Sequence, residues 1–60
     1  MKVKCKDNKN ALGRLTIGKI YTVKGESNLY YRISDDENDI VVFSKYRFIK
    51  VPENNKGITL

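Results

Sequence analysis

The first six residues alternate, with Met1, Val3 and Cys5 on one side and Lys2, Lys4 and Lys6 on the other. A period of two predicts a half-buried strand with a basic outer face. Asp7-Asn8-Lys9-Asn10 is turn chemistry, and Gly13 and Gly18 bracket a second irregular stretch, so residues 7–19 read as one long loop. A loop that long needs apolar anchors, and Leu12, Leu15 and Ile17 are the ones it offers. Ile20 to Lys24 is a strand by composition, followed by a turn at Gly25-Glu26-Ser27-Asn28 and a strand from Leu29 to Ser34. Asp35 to Asp39 reads as an acidic hairpin loop, Ile40 to Phe43 as a strand, Ser44 to Arg47 as one helical turn, and Phe48 to Val51 as a last short strand. Pro52 to Gly57 is polar, and Ile58-Thr59-Leu60 ends the chain. No segment repeats apolar residues every 3.6 positions, so no long helix is expected. Five short strands in this rhythm predict an all-β fold, a small and strongly bent antiparallel barrel over residues 1–52 with a flexible tail at 53–60.

That order resembles the SH3-like barrel family. Residues 7–19 stand where its long first loop stands, 25–28 its second, 35–39 its distal hairpin and 44–47 its helical turn before the last strand. The resemblance implies a five-stranded SH3-like barrel and says little about function. Two strings, Leu15-Thr16-Ile17-Gly18-Lys19-Ile20-Tyr21-Thr22-Val23 and Ser44-Lys45-Tyr46-Arg47-Phe48, together with the opening Lys-Val-Lys-Cys strand, resemble small proteins of bacteriophages and prophages. That likeness implies a phage-encoded protein in the host cytoplasm. It also implies a way of acting, by binding and inhibiting a host protein such as an anti-phage defence component.

Composition narrows the picture. Sixty residues with 12 Lys or Arg, seven Asp or Glu and no His give a net charge of +5. A domain this small buries only about 60% of its unfolded surface, so it is marginal without a disulfide, a metal or a partner. Cys5 is the only cysteine, which excludes an internal disulfide, and with no His the usual zinc ligand sets are absent too. Oligomerisation is the support left open. The longest apolar run, Ile40 to Phe43, is far too short to span a membrane, and the N-terminus lacks the apolar stretch of a signal peptide. A lone thiol then fits the reducing cytoplasm.

Catalysis is not expected, and neither is a cofactor. General acid–base chemistry has no His to use. Asp35, Asp36, Glu37 and Asp39 have oxygens that suit a hard cation, but their spacing departs from the twelve-residue calcium loop, and a solvated turn is the simpler reading. Cys5 lacks an activating base and reads as core. Gly13 and Gly18 are not followed by the Lys-Ser/Thr of a phosphate loop.

Binding remains, in two forms. If Tyr21, Val23, Tyr31, Ile33, Val41 and Phe43 face the core, then Ile20, Tyr30, Ile40 and Val42 face outward. Strands apolar on both faces are covered on both, and in so short a chain the second cover is another protein surface. The expected interface is Ile20, Tyr30, Ile40, Val42 and Tyr46, serving a homodimer that engages a host protein. The tail segment Ile58-Thr59-Leu60 is β-prone and able to add to a neighbouring sheet edge. The alternative is nucleic-acid binding through Lys2, Lys4, Lys6, Arg14, Lys19 and Arg32, since residues 1–19 hold six of the cations against Asp7 alone. Lysines on an exposed strand also serve simply to prevent aggregation. The Pro-rich peptide binding of eukaryotic SH3 domains fits poorly, because the chain has no Trp and no aromatic cluster in its first long loop.

Overall fold

The computed structural model describes residues 1–52, and the tail expected at 53–60, with its strand-prone end, lies outside the described residues. Five strands form one antiparallel sheet: β1 (Lys2–Cys5), β2 (Ile20–Glu26), β3 (Tyr30–Ser34), β4 (Ile40–Ser44) and β5 (Phe48–Val51). A single 3-10 turn, Lys45–Arg47, joins β4 to β5. The sheet order is β4-β3-β2-β1-β5, so β4 and β5 are its two edges and the sheet is open. Among the described residues no helix is long and apolar enough to cross a membrane.

The alternation read from sequence sets the core. Val3, Cys5, Tyr21, Tyr31, Ile33 and Phe48 are buried, joined by Ala11 and Leu15 from the long loop, with Val23 and Phe43 packed against them. Phe48 is the hub: the rings of Tyr21, Tyr31 and Phe43 meet it edge-on at 6.2, 5.9 and 6.5 Å. Such edge contacts place a positive ring edge on a negative ring face and add to the area each ring buries.

Three local expectations need correction. The long loop is anchored by Ala11 and Leu15, while Leu12 and Ile17 are 80% and 59% exposed. The cause is a tight turn, in which the Ala11 carbonyl accepts from the N–H groups of Arg14 and Leu15 and Gly13 takes φ +87°. Ala11 and Leu15 at the two ends of that turn are buried, and Leu12 within it is left in solvent. Leu29 is not a strand residue and is 61% exposed, because β2 runs on to Glu26 and the turn is confined to residues 27–29. The strand continues through Gly25 by means of a bulge between Val23 and Gly25, where the register against β3 shifts.

The rest of the loop is held by backbone bonds. Cys5 N–H donates to Lys19 C=O, and Gly18 N–H donates to Cys5 C=O at 2.8 Å. Gly18 has φ +87°, a conformation that side-chain-bearing residues rarely adopt. Arg47 ties the loop to the 3-10 turn: its carbonyl accepts from Lys6 and Asp7 N–H, and its guanidinium donates to the carbonyls of Asp7 and Lys9.

Candidate interaction surface

The acidic hairpin between β3 and β4 forms as expected but is more than a solvated turn. Asn38 N–H donates to Asp35 C=O and Asp35 N–H donates to Asp39 C=O, with Asn38 at φ 64°. This is a three-residue hairpin loop closed by a residue in the left-handed region. Asp35 is only 4% exposed, and its Oδ1 accepts from the N–H groups of Glu37 and Asp39. Asp36 reaches the long loop instead, accepting from Thr16 Oγ1 (2.6 Å), Lys19 Nζ (2.7 Å) and Tyr21 Oη (2.8 Å). These donors, the Lys19 ammonium first, hold its carboxyl at about 2, well below the ordinary 3.8. The same bond to Asp36 raises Lys19, while burial is the main reason the Tyr21 hydroxyl is raised. The acidic loop is thus a clasp on the first loop, a role the sequence pattern did not reveal because its partners lie 15 to 20 residues away.

On the outside of the sheet, the residues expected to face outward do so. Tyr30, Ile40 and Val42 are 46%, 54% and 57% exposed, and Ile20 is 42% exposed. Tyr30, Ile40 and Val42 lie together on one hairpin: Arg32 stands opposite Val42, Tyr30 opposite Ser44 and Ser34 opposite Ile40. Side chains at such positions share a face and touch across and along the diagonal. Ile20 belongs elsewhere, paired to Lys4 on β1, with Ile49 of β5 on the far side of the same lysine. Ile49 is equally exposed and was missed, because its strand is too short for alternation to orient it. Tyr46 stands on the 3-10 turn with its side chain almost wholly in solvent.

The β2 bulge shapes this outer face. At Gly25 a Cβ would lie 2.9 Å from Nη2 of Arg32, so a side chain there would push the guanidinium aside. Gly25, Glu26, Ser27, Tyr30, Arg32 and Val42 line an open depression of about 310 Å³. Glu26 at its margin is bound by Lys45 Nζ at 2.8 Å, which pulls the Glu26 carboxyl below its usual range. Among the described residues, Arg32 has no carboxylate within ion-pair distance. The surface therefore carries an aromatic ring, two aliphatic side chains and an uncompensated guanidinium, a composition common at the centres of protein interfaces.

The basic residues do not form one site. Lys2 and Lys4 are exposed on β1, with Lys2 Nζ 3.5 Å from Thr22 Oγ1. Lys6 follows β1, and its backbone N–H is held by Arg47. Arg14 faces Glu37 at 3.7 Å and Lys19 is paired with Asp36. Two of the six cations are thus neutralised locally, and Arg32 lies on β3, away from the strand that carries Lys2 and Lys4. Cys5 is buried, with its Sγ 3.6 Å from Asp7 C=O.

Residues 1–51 match the model of a family of unknown function, DUF6501. No curated protein and no solved structure matches the chain.

Proposed function

As the chain belongs to DUF6501, a family of unknown function, we propose that it is a non-enzymatic binding protein that works as a homodimer and engages another protein through the outer face of β3 and β4. The observation that carries this reading is the cluster of Tyr30, Ile40 and Val42, all about half exposed, around Arg32, which has no ion-pair partner among the described residues, on one hairpin face. Such a patch on so small a domain leaves apolar area in water that a partner would remove, at about 25 cal/mol per Å². A non-enzymatic role is supported by the burial of Cys5 and by the engagement of Asp35 Oδ1 in backbone bonds and of the Asp36 carboxylate in clasp bonds. The fold is read as an SH3-like barrel left open between β4 and β5; the order β4-β3-β2-β1-β5 and the 3-10 turn before the last strand support that reading. A phage setting and a host protein as target rest on the resemblance of residues 15–23 and 44–48 to small phage proteins.

The test is the double substitution Ile40→Asp with Val42→Asp. Both side chains are exposed, so the fold should survive while self-association and capture of a nuclease-resistant protein from host lysate are lost. Unchanged solution mass and unchanged capture by a folded variant would refute the proposal.

Nucleic-acid binding is the second reading, favoured by the row of Lys2 and Lys4 on one exposed strand face. It predicts affinity for a single-stranded oligonucleotide that falls steeply as salt rises. Absence of binding at low salt removes it.

A further inference from the structure

The two edges of the sheet are not alike. β5 carries Lys50 and is followed by Pro52, two devices that discourage another strand from pairing there. β4 reads Ile-Val-Val-Phe-Ser, with no charge, no proline and no bulge. The backbone bonds that flank it define which of its groups are used. Asp35 N–H donates to Asp39 C=O, and Lys45 N–H donates to Leu29 C=O. Hydrogen-bonded rungs alternate along an antiparallel pair. Asp39, Val41, Phe43 and Lys45 therefore bond toward β3, and the N–H and C=O groups of Ile40, Val42 and Ser44 point away from the sheet. Among the described residues nothing pairs with them. The inward side chains of β4 are also short of cover. Val41 and Phe43 are only half-buried, whereas Tyr31 and Ile33 at the matching positions of β3 are buried.

We propose that β4 pairs antiparallel with β4 of a second copy about a two-fold axis through Val42. This rests on the reading of the protein as a self-associating binding protein and gives that association its geometry. The register follows from the sequence of the edge itself. With Val42 opposite Val42, Ile40 faces Ser44 of the other copy at both ends, and the three outward-pointing residues of each chain become hydrogen-bonded rungs. Val41 then lies beside Phe43 of the other copy, which covers the two half-buried side chains. One step further out, Asp39 stands opposite Lys45 at both ends, so the flanking charges are complementary and no like charges meet. The pairing also joins the two outer faces, placing the Tyr30, Arg32, Ile40 and Val42 groups of both copies on one continuous surface.

Two substitutions test the geometry. Val42→Pro removes the N–H that each copy donates in the central rung, and because that N–H faces away from β3 the monomer keeps its own ladder. The variant should retain the far-ultraviolet spectrum of the parent and sediment as a single chain. A folded Val42→Pro protein that keeps twice the chain mass overturns the proposal. The second test does not depend on that variant folding. Residues in a hydrogen-bonded antiparallel pair have Cα atoms about 5.5 Å apart, within disulfide range. Under mild oxidation Val42→Cys should cross-link to itself, whereas Ile40→Cys should not, since its own counterpart lies roughly 13 Å further along the strand. Equal cross-linking of the two, or cross-linking of Ile40→Cys alone, overturns the register. If Ile40→Asp with Val42→Asp abolishes association while Val42→Pro does not, the edge geometry fails and the outer-face reading stands. If neither changes the mass, both fail.

Discussion

Asp36 shows how much one side chain carries in a domain this small. It accepts three hydrogen bonds from the long first loop and from β2, and these add to the backbone bond its own N–H donates to Arg14 C=O. Its carboxyl titrates at about 2 in the fold, against an ordinary 3.8. The folded state therefore favours the ionised form, and the clasp contributes its full stability only above the ordinary value. That contribution drains away as pH falls from there through about 2. Asp36→Asn should lower the melting temperature near neutral pH and flatten its dependence between about pH 4 and pH 2, as thermal melts across that range would show. An unchanged acid limb would remove the clasp from the account. Leu15 is the other decisive residue, 2% exposed and the main anchor of the long loop. Leu15→Ala should cost about 2–5 kcal/mol. That is comparable to the roughly 3–5 kcal/mol a core of this size supplies. The expected result is loss of a cooperative melt at 25 °C, and a variant that still melts cooperatively with little loss would mean that the loop is held mainly by its backbone bonds.

At the scale of elements, alternation was a sufficient guide wherever a strand has one face in the core. It placed Val3, Cys5, Tyr21, Tyr31 and Ile33 inward and Tyr30, Ile40 and Val42 outward, as the structure has them. It failed where the chain departs from a period of two. Leu12 and Ile17 sit in turns whose geometry is fixed by backbone bonds, and hydrophobicity alone does not orient a side chain there. The bulge that carries β2 through Gly25 hid the true length of that strand, because glycine after a lysine reads as a turn signal. The outer-face residues of the hairpin were legible, but the depression around Arg32 was not. It depends on the guanidinium lying close against Gly25, a contact between residues of two strands that no local pattern marks. The clasp was equally hidden, since nothing local marks Asp36 apart from its acidic neighbours.

For the whole molecule, the open sheet is the feature that gives the rest its meaning. A 60-residue chain with one cysteine has no disulfide to close it, and β4 and β5 do not meet to close it either. What is left, among the described residues, is an apolar outer hairpin face beside an unpaired edge. The net charge of +5 at first suggests a nucleic acid. Pairing of Arg14 with Glu37 and of Lys19 with Asp36 disperses that suggestion into two local neutral spots. The proposed partner is therefore a second protein surface rather than a phosphate backbone. The most direct measurement is sedimentation equilibrium on the full chain and on the Ile40→Asp, Val42→Asp variant at matched concentrations. The parent is predicted to show twice the chain mass and the folded variant a single-chain mass. A parent that stays at single-chain mass at every concentration, or a folded variant indistinguishable from it, would contradict the account.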